Sequence, residues 1–421
     1  MEKALVLYLL SPSIESAIIQ GREYFLMNNI YFDNSATTQI DPNVMMEMLP
    51  FLKDKYGNPS SAHSLGREAR QAIELSRGIL AKALGADPSE ITFTSGATES
   101  NNLCLKGVTE RFLKEGKKIS IIVSEVEHPS VIDTAKELGA RGVKIIYAGA
   151  NKAGEIDPKR IFTQIEPSTV LISCMLGNNE VGTIEPIATL SSMVKIVRGK
   201  RKDGDLPLYL HTDAVQAFNY LNCNVDFLGV DFLSLSAHKI YGPKGVGALY
   251  ARETAKFSRL IDGGGQEKGV RSGTENVAGI VGFGKAVEIS QKERLANLKA
   301  LTKLRDRLIT GVLKNVKSSH LTGHPENRLP HIASFVFEGI EGEALLLLLD
   351  KEGIFVSTGS ACSSKSLAPS HVLTAMGINP AWSHGSIRMS LGKYSTREEV
   401  DYVIKTLPDL VEKLREMSPV L

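Results

Sequence analysis

Two textures alternate along this chain. Short apolar runs with the length and the β-branched or aromatic content of buried strands occur at Ile91-Thr92-Phe93, Ile119 to Val123, Val170-Leu171-Ile172, Leu208-Tyr209-Leu210 and Phe232-Leu233-Ser234-Leu235. Between them lie segments of helical pattern. Asp41 followed by Pro42 reads as a helix N-cap and first helical position. Gly66 to Leu84 carries apolar residues at helical spacing, and Gly85 stops it. The alternation, from Asp41 to about residue 250, predicts an α/β domain with a mostly parallel sheet. Each predicted strand ends just before a polar cluster. In open α/β sheets ligands sit beyond the carboxyl ends of the strands, so these clusters are candidate site loops.

From about residue 290 the pattern changes. A charged helical stretch, Gln291 to Val316, leads to a polar loop, Leu321 to Pro330. Strands are predicted at Ala333 to Phe337 and Ile354 to Val356, with an apolar helix, Ala344 to Asp350, between them and a final amphipathic helix from Thr396 to Met417. A second domain is expected to begin here. Strongly patterned sequence starts only at Ile30-Tyr31-Phe32-Asp33-Asn34, so residues 1–26 read as an appendage, with Met27 a candidate alternative start.

With 421 residues, 43% of them hydrophobic, the chain can bury two cores. A formal charge of +2 calls for neither a nucleic acid nor a membrane partner. The apolar run Ala4 to Leu10 is too short to span a membrane and lacks the flanks of a signal peptide. The four cysteines, Cys104, Cys174, Cys223 and Cys362, stand singly, without a Cys-x-x-Cys pair, which fits a reducing cytoplasmic setting. The nine histidines show no spacing of the metal-ligand type, so no metal is expected.

Candidate chemistry lies in the polar clusters. Ser236-Ala237-His238-Lys239-Ile240-Tyr241-Gly242-Pro243-Lys244-Gly245 puts a lysine directly after a strand. Partial burial there would lower its pKa and let the neutral amine form an imine, although a lone strand-end lysine reads as a surface charge. His211-Thr212-Asp213-Ala214-Val215-Gln216 offers a carboxylate for a cationic heterocycle, or simply a helix N-cap followed by a solvated Gln216. Thr94-Ser95-Gly96-Ala97-Thr98-Glu99 opens a helix with free backbone N–H groups that suit a phosphate, or forms an ordinary capped turn. Cys362, in Gly359-Ser360-Ala361-Cys362-Ser363-Ser364-Lys365, lies in a small-residue loop without the apolar neighbours that a buried structural cysteine would pack against, and with a nearby lysine, the setting of an accessible, reactive thiol. Cys104 and Cys174 sit in apolar runs and read as core, while Cys223 carries no signal.

Taken in order, these motifs resemble those of a cysteine desulfurase of the fold-type I, pyridoxal-phosphate-dependent family. The most diagnostic runs are Tyr56-Gly57-Asn58-Pro59-Ser60-Ser61, Asn178-Asn179-Glu180-Val181-Gly182, Ser236 to Gly245, Gly263-Gly264-Gly265-Gln266-Glu267 with Arg271-Ser272-Gly273-Thr274-Glu275-Asn276, and Gly359-Ser360-Ala361-Cys362. The likeness runs from Ile30 to the C-terminal helix. It implies a large cofactor domain over residues 43–290 with a mostly parallel seven-stranded sheet. A smaller α+β domain would be formed by residues 29–42 and 291–421, after an extension over residues 1–28.

The resemblance also implies roles. Lys239 would form the internal aldimine with pyridoxal 5'-phosphate, Asp213 would pair with the pyridine nitrogen, and Gln216 would hydrogen-bond the phenolic oxygen. His128 would stack on the ring and assist proton transfer; read from its surroundings alone it is a capping or satisfied histidine. Ala97, Thr98, Ser236 and His238 would bind the phosphate, and Thr274 would reach the phosphate of a neighbouring subunit, hence a homodimer. Asn179 would contact cofactor and substrate, and Arg388 would clamp the substrate carboxylate with its fork, where otherwise it is a strand-end surface charge. The implied reaction takes sulfur from L-cysteine, leaves alanine, and holds the sulfur as a persulfide on Cys362 for an acceptor such as an iron-sulfur scaffold. The loop Ser357 to Ser370 resembles the longer version of the iron-sulfur-assembly enzymes. A selenocysteine lyase of the same fold, or a cofactor-binding scaffold without turnover, are the competing readings.

Overall fold

The computed structural model describes residues 29–359 and 369–417. In chain order its elements are β1 (Ile30–Tyr31), α1 (Pro42–Lys53), α2 (Ser64–Leu84), β2 (Ile91–Thr94), α3 (Ala97–Lys114), β3 (Ser120–Ser124), α4 (Pro129–Ala140), β4 (Lys144–Ala148), α5 (Pro158–Gln164), β5 (Thr169–Ser173), α6 (Ile187–Lys200), β6 (Tyr209–Asp213), α7 (Val225–Leu228), β7 (Phe232–Ser236) and β8 (Gly247–Ala251). They continue with α8 (Val277–Asn315), β9 (Ser319–Leu321), β10 (Ile332–Phe337), α9 (Gly342–Lys351), β11 (Ile354–Phe355), α10 (His371–Ala375), α11 (Pro380–Ser383), β12 (Ser386–Ser390) and α12 (Arg397–Met417).

The seven strands of the main sheet lie in the order β2-β8-β7-β6-β5-β3-β4. Neighbours from β7 through β4 pair in parallel, whereas β8 runs antiparallel to both β7 and β2. Strands β3, β5, β6 and β7 are buried along their whole length, as strands covered by helices on both faces must be. The predicted strands all form, with ends shifted by one to three residues. Two strands of this sheet were missed: β8, because Gly247-Ala248-Leu249-Tyr250-Ala251 has none of the β-branched content that marks the others, and the edge strand β4, Lys144-Ile145-Ile146-Tyr147-Ala148.

Helix signals hold locally. Asp41 Oδ1 accepts from Asn43 N at 2.8 Å, and Gly85 closes α2 in the left-handed conformation at φ +68°. Helix α8, by contrast, runs unbroken for 39 residues through the position where the sequence pattern changes. Its first half contributes Ile280, Phe283, Ala286 and Val287 to the core beneath the main sheet. Its second half contributes Leu301, Leu308 and Val312 to a separate core that includes Ile30, Phe32, Phe335, Phe337 and Val403. A small antiparallel sheet, β12-β10-β9, lies in that second core, and β1 pairs in parallel with β11. Among the described residues no helix is long and apolar enough to cross a membrane.

Candidate active site

The carboxyl ends of β2, β3, β5, β6 and β7 converge on a cavity of about 610 Å³. Lys239 lines it from a 3-10 turn, Ala237–Lys239, that follows β7 directly. The chain folds back closely on this turn: a Cβ on Gly242 would lie 2.8 Å from the Ala237 carbonyl oxygen, and Tyr241 adopts φ +66°. Lys239 Nζ donates to the carbonyls of Ser35 at 2.5 Å and Ala36 at 2.7 Å. The Ser35 carbonyl also accepts from Gln216 Nε2 at 2.9 Å, so the lysine amine and the glutamine amide meet at one atom. Gln216 is buried rather than solvated, in a stretch of turns rather than a helix.

Asp213, at the end of β6, does behave partly as a cap, Oδ1 accepting from Val215 N at 3.0 Å. Its Oδ2 accepts from Asn101 Nδ2 at 2.8 Å, and the same nitrogen donates to Ser130 Oγ at 2.9 Å. Ser130 in turn meets His128, its backbone N–H donating to Nδ1 at 3.1 Å with Oγ 2.8 Å from the same ring nitrogen. His128 is therefore the N-cap of α4 and a lining residue of the cavity at once. Since Nδ1 accepts, the ring proton sits on Nε2. Burial pushes the His128 pKa below its usual value, and Lys239 and His371 push the same way against the pull of Asp213, which keeps the ring neutral near pH 7.

At the other end, α3 starts at Gly96 without a side-chain cap, leaving the first N–H groups of Ala97 and Thr98 free for an anion. Ser236 and His238 line the same region, as do Lys239 and Lys244. Burial, then the charges of Lys239 and Lys244, bring His238 down to about 4, so it is a neutral donor. Glu99, in the first turn of α3, is held by Ser95 N at 2.8 Å and by Arg271 Nε at 2.8 Å. Burial alone would raise its pKa, but these bonds outweigh burial and keep it ionised.

Arg271 belongs to the glycine-rich loop that also carries Thr274, which is exposed and does not line the cavity. That loop is fastened by a buried fork: Glu267 accepts from Arg77 Nη1 and Nη2, each at 2.8 Å, and from Phe93 N at 2.8 Å. Glu267 and Lys268 both sit in the left-handed region, at φ +46° and +57°.

Arg388 lies mid-strand in β12 and is 4% exposed, not a surface charge. Its guanidinium donates to the Asn179 carbonyl and to Asp33 Oδ1, each at 2.9 Å. Burial raises the pKa of Asp33 despite the nearby Arg388 and Lys239 charges. Asn179 lines the cavity beside it. Cys362 lies outside the described residues, but Gly359 before it and Ser370 after it both line the cavity. Ser357 pairs with Arg388 through backbone bonds of 3.2 and 2.7 Å, and Ser370 Oγ donates to the buried Glu180 at 2.5 Å. The other three cysteines, Cys104, Cys174 and Cys223, are buried, and burial raises each thiol far from reactivity.

The cavity thus brings together Lys239, Asp213, Gln216, His128, Ala97, Thr98, Ser236, His238, Asn179 and Arg388. Sequence reasoning missed Ser35, Asp33, Asn101, Ser130, Glu180 and His371. Asp33-Asn34-Ser35-Ala36-Thr37-Thr38 is itself a polar cluster after a short apolar run, the same signal that marked the other loops.

The description "Aminotransferase class-V" fits residues 30–403. A cysteine desulfurase IscS from Dictyoglomus turgidum is 48% identical over 394 residues, covering 94% of this chain and 97% of that protein. Another from Methanosarcina thermophila is 47% identical, covering 93% and 94%. Among solved structures, a NifS-like protein superposes with a TM-score of 0.84 at 42% identity, over 92% of this chain and 100% of the other. SspA in complex with cysteine gives 0.74 at 36% identity, over 87% and 100%. The chain belongs to the class-V aminotransferase family and, within it, to the cysteine desulfurases.

Proposed function

We propose that this chain converts L-cysteine to L-alanine with the help of pyridoxal 5'-phosphate and keeps the sulfur as a persulfide on Cys362 for delivery to an acceptor protein such as an iron-sulfur scaffold. The observation that carries the reading is the single cavity in which a strand-end lysine, a buried carboxylate, a neutral histidine and a buried arginine face one another.

The donor set fits the cofactor. Uncapped N–H groups of Ala97 and Thr98, with Ser236 and His238, suit its phosphate, and Thr274 of a neighbouring subunit in a homodimer would complete that cradle. Asp213, steadied by Asn101, suits the pyridine nitrogen, and Gln216 the phenolic oxygen. When bound, the cofactor supplies an electron sink for the pair released at the substrate Cα.

The protein's own groups do the rest. Arg388 exchanges its Asp33 partner for the substrate carboxylate, a like-for-like swap that its fork favours. Asn179 steadies the same end. Lys239 Nζ, close to the Ser35 and Ala36 carbonyls, carries the Cα proton, and His128 presents an Nε2–H toward the cavity for the substrate's leaving or arriving proton. The Cys362 thiolate bonds to the substrate sulfur as the carbon–sulfur bond breaks, its electron pair staying on the carbon that becomes the methyl group of alanine. A persulfide and alanine balance the thiol and cysteine consumed.

The test is incubation with L-cysteine followed by mass spectrometry of the peptides. One extra sulfur on the Cys362 peptide, absent from those of Cys104, Cys174 and Cys223, is the expected result. Full cysteine-dependent alanine release by Cys362→Ala would overturn the relay.

A further inference from the structure

Behind Gln216 lies a histidine that no step so far uses. His331 is 2% exposed, in the link before β10, and its ring stacks on Tyr220 with centroids 4.5 Å apart. Its Nε2 lies 3.3 Å from Gln216 Oε1, and its Nδ1 has no hydrogen-bond partner among the described residues. We propose that His331 is a positioning residue that locks the Gln216 amide so that its N–H points at the phenolic oxygen of the cofactor.

The argument starts from charge. Burial, followed by the cations Arg388, Arg305 and Lys239, brings the His331 pKa to about 3, so the ring is neutral throughout the working range and carries one proton. With Nδ1 unpartnered, that proton belongs on Nε2, where Gln216 Oε1 accepts it. The other face of the amide is decided by Ser35, whose carbonyl accepts from Gln216 Nε2. A flipped amide would set oxygen against the Ser35 carbonyl and nitrogen against the His331 N–H, two repulsive contacts for two lost bonds. The second N–H of Gln216 is thus held toward the cavity, beside Lys239, which shares the Ser35 carbonyl. In pyridoxal the aldehyde and the phenolic oxygen are on adjacent ring carbons, and the neighbouring amine and amide match that adjacency.

The consequence is spectroscopic. A fixed donor stabilises the phenolate and so lowers the pH at which the lysine-linked, yellow form loses its proton. Loss of the donor is expected to raise that pH by about one unit, the worth of a single hydrogen bond to a charged acceptor.

The inference rests on the proposed cofactor site, and the experiment separates the two. Visible absorption is titrated with pH for pyridoxal-phosphate-loaded wild type, His331→Phe, His331→Asn and Gln216→Leu, with cofactor affinity measured alongside. His331→Phe keeps the stacking area on Tyr220 but lacks the donor, so its midpoint should rise with that of Gln216→Leu. His331→Asn keeps a donor and should titrate near wild type. A shift in Gln216→Leu with none in His331→Phe overturns the positioning role and leaves the site reading intact. If His331→Phe does not fold, an Asn variant that titrates like Gln216→Leu also overturns it. No shift in Gln216→Leu itself refutes the site reading.

Discussion

Glu127 offers the sharpest energetic test of the site's surroundings. It follows β3 and is fully buried, with Oε1 accepting from Ser124 Oγ and Met175 N, both at 2.6 Å, and Oε2 without a partner among the described residues. Burial drives its pKa up to about 8 against the pull of those two bonds, with the charge of Asp213 adding to the rise. In the unfolded chain the group titrates near 4.5. Below that value both states hold the proton and the carboxyl carries no penalty. Between it and about 8 only the folded state holds the proton, so stability falls as pH rises. At about 1.36 kcal/mol per unit, the full penalty above that window is on the order of 5 kcal/mol. Glu127→Gln retains an acceptor for Ser124 and Met175 but cannot ionise. Urea unfolding at about pH 5 and pH 9 should therefore find the variant close to wild type at the lower pH and more stable, on the order of 2 to 4 kcal/mol, at the higher. Glu185, raised in the same direction, remains in both proteins and cancels to first order. An equal stability difference at both pH values would refute the reasoning.

Two further outcomes follow from the charge pairs. Glu267→Gln takes the buried carboxylate from Arg77 and leaves it only the largely exposed Glu74, so it should cost about 2–3 kcal/mol in denaturant unfolding; a loss under about 0.5 kcal/mol would mean that the pair does not fasten the loop. Arg388→Lys replaces a fork by a point charge, so KM for cysteine should rise about tenfold or more while the bound cofactor keeps its colour; an unchanged KM would remove Arg388 from the carboxylate site.

The predicted strands form because continuous apolar runs have only the sheet interior in which to be buried, and Asp41 and Gly85 end helices for reasons confined to their own backbones. The edge strand β4 was passed over, and strand β8 and the uninterrupted α8 were not legible. In β8, pairing on both sides overrides weak local preference; in α8, one helix exchanges one core for another without any break in its hydrogen bonds. Arg388 looked like a surface charge because its compensation, Asp33, is 355 residues away.

By itself the sequence determined which groups could do chemistry: a lysine, a carboxylate and an anion-ready helix start, each placed just past a strand end by local pattern, and a thiol in a small-residue loop. Tertiary structure alone decided how those groups are tuned. His128 is neutral, Glu127 holds its proton, the Ser35 carbonyl joins Lys239 to Gln216, and Asn101 ties Asp213 to His128 through Ser130. Desolvation and hydrogen-bond partnership are properties of the assembled interior, set by residues far apart in the chain, and no local pattern encodes them.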